Sequence, residues 1–240
     1  MNITIFSIII GILLLAVPAL ILFRLDRRFL RQLVVVLGRL GATLAVLAGC
    51  LYYVFLWDKA WINILWVLLG SGVATAVYCR KRWQSIPIFV SMTVVTFVVG
   101  IIVQLLIGAD RLFGASTFIP VMTMLQAEAL FVCRRGITTY VLERRSHAEL
   151  DEYLRGNGAT PLEALRPFLT KAITRAFAPV LSQLLLVGLV FVPSLLAGLL
   201  IGGVSPLQAV ALLVIMTCTA LCSTMLVLAL TIYIYTRISS

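Results

Sequence analysis

Two ionisable side chains, Arg39 and Glu128, stand inside long apolar stretches of this 240-residue chain. On helices they would lie roughly 12 Å and 9 Å from the nearest basic clusters, the first of which ends at Arg31 and the second of which begins at Arg134. Charged groups within apolar spans mark transport paths, proton relays or buried pairs. Their similar depth predicts that Arg39 and Glu128 pair between helices. Other interpretations stay open: Arg39 snorkels to the membrane surface, and Glu128 faces a wet cavity or is protonated.

A stripe of side chains accompanies Glu128. Pro120, Met124 and Glu128 recur at i, i+4 and i+8, which places them on one face of a helix, whereas Gln126 falls on another face. The stripe predicts either the lining or gate of a substrate path, with Gln126 nearby, or a packing face with one buried pair. Metal binding by Met124 and Glu128 would need donors from other spans, and we expect no metal site.

Motifs for catalysis are missing from the sequence. The single histidine, His147, stands in a charged segment without partners for a metal site or a triad. None of the three lysines follows a glycine, so the sequence has no GxxxxGK[ST] phosphate-binding loop. We therefore expect that this chain is not an enzyme and binds no cofactor of its own.

The segment 134–175 carries eight of the 19 basic and five of the nine acidic residues. Its first half, Thr138–Arg155, is predicted to be a charged helix that extends the apolar stretch before it. Residues 156–161, Gly-Asn-Gly-Ala-Thr-Pro, must then turn. Thr160 and Glu163 have the spacing of a capping box, with Pro161 at the first position of a second helix. The pattern predicts a helical hairpin.

The amino-acid composition indicates the solvent in which these residues are positioned. The chain is 62% hydrophobic and 12% charged, about half the ~25% charged residues of soluble domains. A soluble fold of this size cannot bury that much apolar surface, so the solvent is lipid. The net charge of +10 would suit nucleic acid. The basic residues instead lie between apolar runs, as in the cytoplasmic loops of membrane proteins, so we expect no nucleic-acid partner.

Seven stretches are apolar and long enough to cross a bilayer: residues 2–23, 33–56, 62–79, 86–107, 117–133, 176–201 and 206–235. With the N-terminus outside, 17 of the 19 basic residues fall inside. The sequence therefore predicts an all-α polytopic membrane protein with about seven transmembrane helices, N-terminus out and C-terminus in. We expect one transmembrane domain over 1–240, with the hairpin of 134–175 in the cytoplasm between spans 5 and 6.

The sixth span is rich in small and kinking residues. Gly198 and Gly202 form a GxxxG motif, a spacing that lets helices approach closely, and Gly188 is a further packing candidate. A homodimer face and internal packing remain alternative interpretations. Pro193 joins the residues predicted to line or gate a path.

The hairpin resembles the loop by which ABC-transporter permeases dock on their ATPase. The resemblance lies in Glu152 and in Gly158-Ala159-Thr160-Pro161, while Tyr153-Leu154 departs from the Ala-Ala pair of that loop. The whole chain resembles the FetB-type ABC permease family, which is implicated in bacterial iron export, most densely from Phe118 to Tyr235. Matching pieces include Gly38-Arg39, Phe118-Ile119-Pro120, Arg175-Ala176, Val187-Gly188-Leu189-Val190 and Gly203 with Pro206.

Departures from that family fall at polar membrane positions. Ala127-Glu128 stands for the family's Gly-Asn, Ser194-Leu195-Leu196 for Gly-Met-Met after Pro193, and Leu213 for a glutamine. The resemblance therefore implies that coupling to an ATPase is preserved. It is weaker evidence that the substrate is iron.

The resemblance implies a permease subunit in the bacterial inner membrane, a homodimer driven by a separate ATPase that binds ATP and Mg²⁺. It implies an exporter related to iron or metal homeostasis. The residues that couple to the ATPase would be Glu152, Gly158, Ala159, Thr160, Pro161 and Glu163. Two alternatives remain, an ABC permease for a lipid, metabolite or other envelope compound, and a non-transporting membrane scaffold or sensor.

Overall fold

The computed structural model describes residues 13, 14, 17, 20, 23, 27–79, 82–108, 111–186 and 194–238, and every regular element there is a helix. The helices are α1 (Arg27–Trp57), α2 (Ala60–Tyr78), α3 (Arg82–Ile107), α4 (Ala115–Ser146), α5 (Ala148–Gly156), α6 (Pro161–Leu186), α7 (Ser194–Ile201) and α8 (Pro206–Ile238). The chain divides into two compact units, Met1–Trp57 with α1 and Asp58–Ser240 with α2 to α8.

Five helices are long and apolar enough to cross a membrane, at Leu30–Trp57, Ala60–Val77, Ser85–Ile107, Ala115–Ser146 and Pro206–Arg237. They match predicted spans 2, 3, 4, 5 and 7. Most of predicted span 1 lies outside the described residues, and so does 187–193 of span 6. The prediction of an all-α polytopic membrane protein is confirmed, while the number of seven spans, the orientation and the single domain stay predictions.

Helix α4 lies at the centre of the second unit and contacts α2, α3, α5, α6 and α8. Its inward side is apolar, with Phe118, Met122, Leu125 and Ile137 at most 1% exposed. Lipid is as apolar as these side chains, so helices associate in a membrane through close packing rather than through expulsion of water. The position of α4 therefore depends on how well its surface fits its neighbours.

Two glycines permit that fit. A Cβ at Gly136 of α4 would overlap the side chain of Leu228 on α8, and a Cβ at Gly100 of α3 would overlap Met122 on α4. Leu228 and Met122 are fully buried, which leaves them little space to move. Neither glycine was among the packing glycines predicted from the sequence.

Several hydroxyl groups within the spans bond to carbonyls of their own helix, although Thr93 and Ser223 make no side-chain hydrogen bond to the described residues. Thr75 donates to the Ser71 carbonyl at 2.8 Å, Ser91 to Pro87 at 2.7 Å and Thr217 to Leu213 at 2.8 Å. Such bonds satisfy a hydroxyl in apolar surroundings without help from a neighbouring helix. The amide of Gln104 differs, since it is fully buried and makes no hydrogen bond to the described residues.

The extension of α4 beyond its apolar part departs from prediction. The continuous helix predicted over Thr138–Arg155 is wrong, because α4 ends at Ser146 and α5 begins at Ala148. Between them His147 takes φ −129° and ψ 44°, while its N–H still reaches the Glu143 carbonyl at 3.1 Å. The bend accompanies packing of α5 on α6, a tertiary contact that local helix propensity does not report.

Candidate functional site

The turn between α5 and α6 is built as the sequence predicts. Gly158 has a φ of +82°, a left-handed conformation that side chains with a Cβ disfavour. The N–H of Ala159 then bonds back to the Leu154 carbonyl at 3.0 Å. This bond, with glycine in the left-handed position, closes the end of a helix in a Schellman arrangement.

A capping box begins α6, and this prediction is confirmed. The Glu163 carboxylate accepts hydrogen bonds from the Thr160 N–H at 2.8 Å and from its hydroxyl at 2.7 Å, and the Glu163 N–H lies 3.4 Å from Thr160 Oγ1. The bond from the Thr160 hydroxyl, followed by the one from the Thr160 N–H, holds the pKa of Glu163 below its usual value. Pro161 is the first residue of α6. The turn is thus fixed at both ends.

Helix α5 presents apolar side chains on a charged part of the chain. Leu150 and Tyr153, three residues apart and therefore on one side of the helix, are 39% and 68% exposed. Glu149 and the predicted coupling residue Glu152 are also exposed. The outer surface of α5 is therefore apolar with an acidic border, a composition suited to contact with another protein.

One ionic cluster was missed by the sequence analysis. The Glu143 carboxylate on α4, only 9% exposed, lies 2.9 Å from Lys171 Nζ and 2.9 Å from Arg175 Nη1, both on α6. His147 Nδ1 lies 3.7 Å from the same carboxylate. The acid–base spacing i, i+4 in Glu143 and His147 was visible in the sequence, but its partners lie 28 and 32 residues away.

The membrane stripe of α4 faces outward from the second unit. Pro120 and Glu128 are exposed and Met124 is half-buried, so the predicted face is formed. Gln126 is buried on another side of α4, as predicted, and its Nε2 has no hydrogen-bond partner among the described residues. The structure thus separates Gln126 from the exposed stripe, whose role in a path stays a prediction.

Other predicted residues are placed apart from these sites. Arg39 is exposed on α1 and belongs to the first unit, whereas Glu128 belongs to the second, so their pairing stays a prediction. Gly198 lies in α7 and Gly202 in the turn after it, and a Cβ at Gly198 would meet nothing within 4 Å. Gly188 and Pro193 lie outside the described residues.

The end of α4 opposite the hairpin is held by a network that the sequence analysis did not predict. Asp58 Oδ1 accepts the Ala115 N–H at 2.7 Å, and Asn63 Nδ2 donates to the Phe113 carbonyl at 2.7 Å. The Ala115 N–H, followed by the Asn63 amide and the Arg111 charge, lowers the pKa of Asp58 below its usual value against the effect of partial burial. The loops before α2 and α4 are thereby joined.

Comparison with known proteins identifies the family of this chain. A family model described as "Uncharacterised protein family (UPF0014)" matches residues 5–238, which is nearly the whole chain. The chain belongs to the UPF0014 family. The hairpin, the capping box and the membrane stripe of α4 therefore lie within the matched region, as does most of each unit.

Curated relatives of this UPF0014 chain include three membrane proteins. The "Probable iron export permease protein FetB" of Escherichia coli (strain K12) is 25% identical over 221 residues, covering 90% of this chain and 84% of the relative. "UPF0014 membrane protein STAR2" of Oryza sativa subsp. japonica is 27% identical over 191 residues, 77% of this chain and 65% of the relative. "UPF0014 membrane protein YjkA" of Bacillus subtilis (strain 168) is 22% identical over 195 residues, 80% and 78%.

No solved structure matches the UPF0014 chain. The predicted resemblance to FetB-type permeases is confirmed by the family and by the first of these relatives. The multi-pass membrane character of the chain is likewise supported by its helices and by its bacterial relatives.

Proposed function

We propose that this chain is the membrane-spanning permease subunit of an ABC transporter, driven by a separate ATPase subunit. The observation that carries the proposal is the α5–α6 hairpin. It lies beyond the apolar part of α4, its turn is fixed by Gly158 and by the Thr160–Glu163 capping box, and it presents Leu150 and Tyr153 outward. An ordered hairpin that exposes apolar side chains among charged ones is suited to a pocket in a soluble partner.

The sequence and the resemblance support a separate ATPase. The chain has no phosphate-binding loop, and it resembles permeases whose corresponding loop docks on an ATPase. ATP and Mg²⁺ would then bind to that partner. Glu152, Gly158, Ala159, Thr160, Pro161 and Glu163 would form or fix the docking surface.

The exposed stripe of α4 supports a transport path in the same proposal. A carboxylate that faces lipid is costly, so Glu128 is expected to face a polar surface when the protein is in its membrane. In a homodimer, Pro120, Met124 and Glu128 of both copies would border a path between them. Pairing with Arg39 is the other way in which Glu128 would avoid lipid.

The proposed substrate is iron or a related metal, transported outward across the bacterial inner membrane. Support comes from the name of the Escherichia coli relative, a probable iron export permease. The carboxylate of Glu128 is a hard oxygen ligand that suits such a cation. Transport of a lipid, a metabolite or another envelope compound is the second candidate, because Ala127-Glu128 stands for Gly-Asn and Leu213 for a glutamine of the family pattern.

Co-purification tests the ATPase partner. A C-terminally tagged chain, solubilised from native membranes in mild detergent, should bring a P-loop ATPase in equal amount. Tyr153→Ser and Gly158→Arg should lower that amount about tenfold or more, as expected for central interface residues. Tyr52→Ser is the matched control, because Tyr52 is 67% exposed but lies on α1. If no ATPase accompanies the wild-type chain, the scaffold or sensor function is favoured.

Reconstitution tests the path and the substrate. With the co-purified ATPase in liposomes, Fe²⁺ should stimulate ATP hydrolysis, and Glu128→Gln should abolish the stimulation. A Glu128→Gln complex that transports and hydrolyses ATP normally would contradict the path role of Glu128. Stimulation by added lipid, and not by Fe²⁺ or another divalent metal, would favour the second candidate.

A further inference from the structure

The cytoplasmic ends of α4 and α6 are joined by two kinds of contact. Apolar side chains form the first, with Ile137 and Tyr140 of α4 in the same buried cluster as Phe168 and Ala172 of α6. The second is the ionic cluster of Glu143, Lys171, Arg175 and His147. The apolar contacts position the two helices through the fit of their surfaces, and the hydrogen-bonded ion pairs further require defined positions of individual atoms.

The ionic cluster fixes the register of the two helices. Lys171 and Arg175 lie one helical turn apart on α6, and each contacts a different oxygen of the same carboxylate, Lys171 at Oε2 and Arg175 at Oε1. Displacement of α6 along α4 by one turn, about 5.4 Å, would break at least one pair. Without Glu143, the two cations at i, i+4 would repel each other.

The ionic cluster lies where a fixed register would link the hairpin to the membrane spans. Glu143 lies one turn before the α4–α5 break at His147, and Lys171 lies ten residues after the start of α6 at Pro161. The cluster therefore stands between the hairpin tip and the apolar spans, on the two helices that enter and leave the hairpin.

We propose that Glu143, with Lys171 and Arg175, is a clamp that makes the cytoplasmic ends of α4 and α6 move together, so that a displacement of α5 reaches both helices. Glu143 is a positioning residue in this mechanism and contacts neither nucleotide nor cargo. The use of the clamp in energy coupling rests on the proposed function, whereas the clamp itself does not.

The first test measures the clamp without any ATPase. Spin labels at Thr138 on α4 and Thr174 on α6, both exposed, report the separation of the helices. Cys50, Cys218 and Cys222 are replaced by alanine, since they are not buried. The full chain should give one narrow distance distribution. Glu143→Gln should broaden or shift it, Glu149→Gln on α5 should not, and the swap Glu143→Lys with Lys171→Glu should narrow it again.

Unchanged distances in Glu143→Gln overturn the clamp, whether or not an ATPase is found.

The second test uses the complex with its co-purified ATPase. Glu143→Gln should keep the wild-type ratio of ATPase to permease. It should reduce the permease-dependent change in the rate of ATP hydrolysis about tenfold, which is within the range of allosteric couplings. Loss of the ATPase itself, or normal coupling despite altered distances, would overturn the coupling role. Absence of an ATPase from the wild-type chain would refute the proposed function and leave the distance result to decide on the clamp.

Discussion

The carboxylate of Asp58 accepts a hydrogen bond from the backbone N–H of Ala115, 57 residues later in the chain, at 2.7 Å. Ala115 is the first residue of α4, and Gly114 before it has no side chain to cap the helix. Asp58 thus caps α4 from another part of the chain, and it holds a φ of +37° while doing so. Aspartate and asparagine tolerate this conformation better than most residues.

Replacement of this cap should destabilise α4. We expect Asp58→Ala to lower the Tm in detergent and to speed amide exchange in the first turn of α4, because the Ala115 N–H loses its acceptor. Asp58→Asn keeps an oxygen acceptor and tolerates the positive φ, so it should retain much of the stability. Arg111→Ala is the control, since Arg111 Nη1 is 3.6 Å from the carboxylate and its side chain is 79% exposed. Equal effects of all three changes would contradict the cap.

The same cap should make stability depend on acid pH. The pKa of Asp58 is lowered from 3.8 in the folded protein, chiefly by the Ala115 N–H. A lowered folded pKa gives stability that is present above the unfolded pKa and lost as the pH falls through the folded pKa. The Tm difference between wild type and Asp58→Ala should therefore be constant near neutrality and shrink below about pH 4. The acid effect of Glu163 is common to both proteins and cancels; a difference that grows in acid would contradict the assignment.

Two glycines of the hairpin should respond oppositely to alanine. Gly158→Ala should cost roughly 1–2 kcal/mol, because its φ of +82° is left-handed. Gly156 is the last residue of α5 and has open space at its Cβ position, so Gly156→Ala should stabilise the helix by at most about 0.5–1 kcal/mol. Hydrogen exchange across 148–163 measures both changes. A neutral Gly158→Ala would show that the turn adopts another conformation in the membrane.

Size complementarity between α4 and α8 should appear as coupled stability. Gly136→Ala places a methyl group against Leu228 and should cost about 1–3 kcal/mol. In the double variant with Leu228→Ala the added methyl group finds space. The double variant should therefore lose less free energy of unfolding than the sum of the losses in the two single variants. Gly70→Ala is the control, because nothing lies within 4 Å of its Cβ position. Unfolding in mixed micelles with increasing SDS measures the series, and strict additivity would refute the contact.

Local patterns predicted much of this fold. The apolar run 33–56 lies inside α1, and 206–235 lies inside α8, because length and hydropathy suffice to identify a membrane helix. The capping box of Thr160 and Glu163 was equally readable, since both partners lie within one turn. The stripe of Pro120, Met124 and Glu128 follows from helical geometry alone.

Pairs distant in sequence could not be predicted. Asp58 and Ala115 are 57 residues apart, and Glu143 and Lys171 are 28 apart, and no periodicity relates one partner to the other. In the sequence Glu143 is one of five acids in a charged segment, with nothing to distinguish it. The break at His147 escaped prediction for the same reason, because it accompanies packing of α5 on α6.

The hydroxyl groups bonded within their own helices have a consequence for biogenesis. In α2 the Ser71 and Thr75 hydroxyls bond to carbonyls of their own helix and so enter the bilayer already satisfied, whereas Asn63 near the start of α2 bonds to the Phe113 carbonyl outside the helix. In α3 the side chain of Gln104, within three residues of the helix end, makes no hydrogen bond to the described residues, so its transfer into lipid costs more than that of a hydroxyl bonded within its own helix.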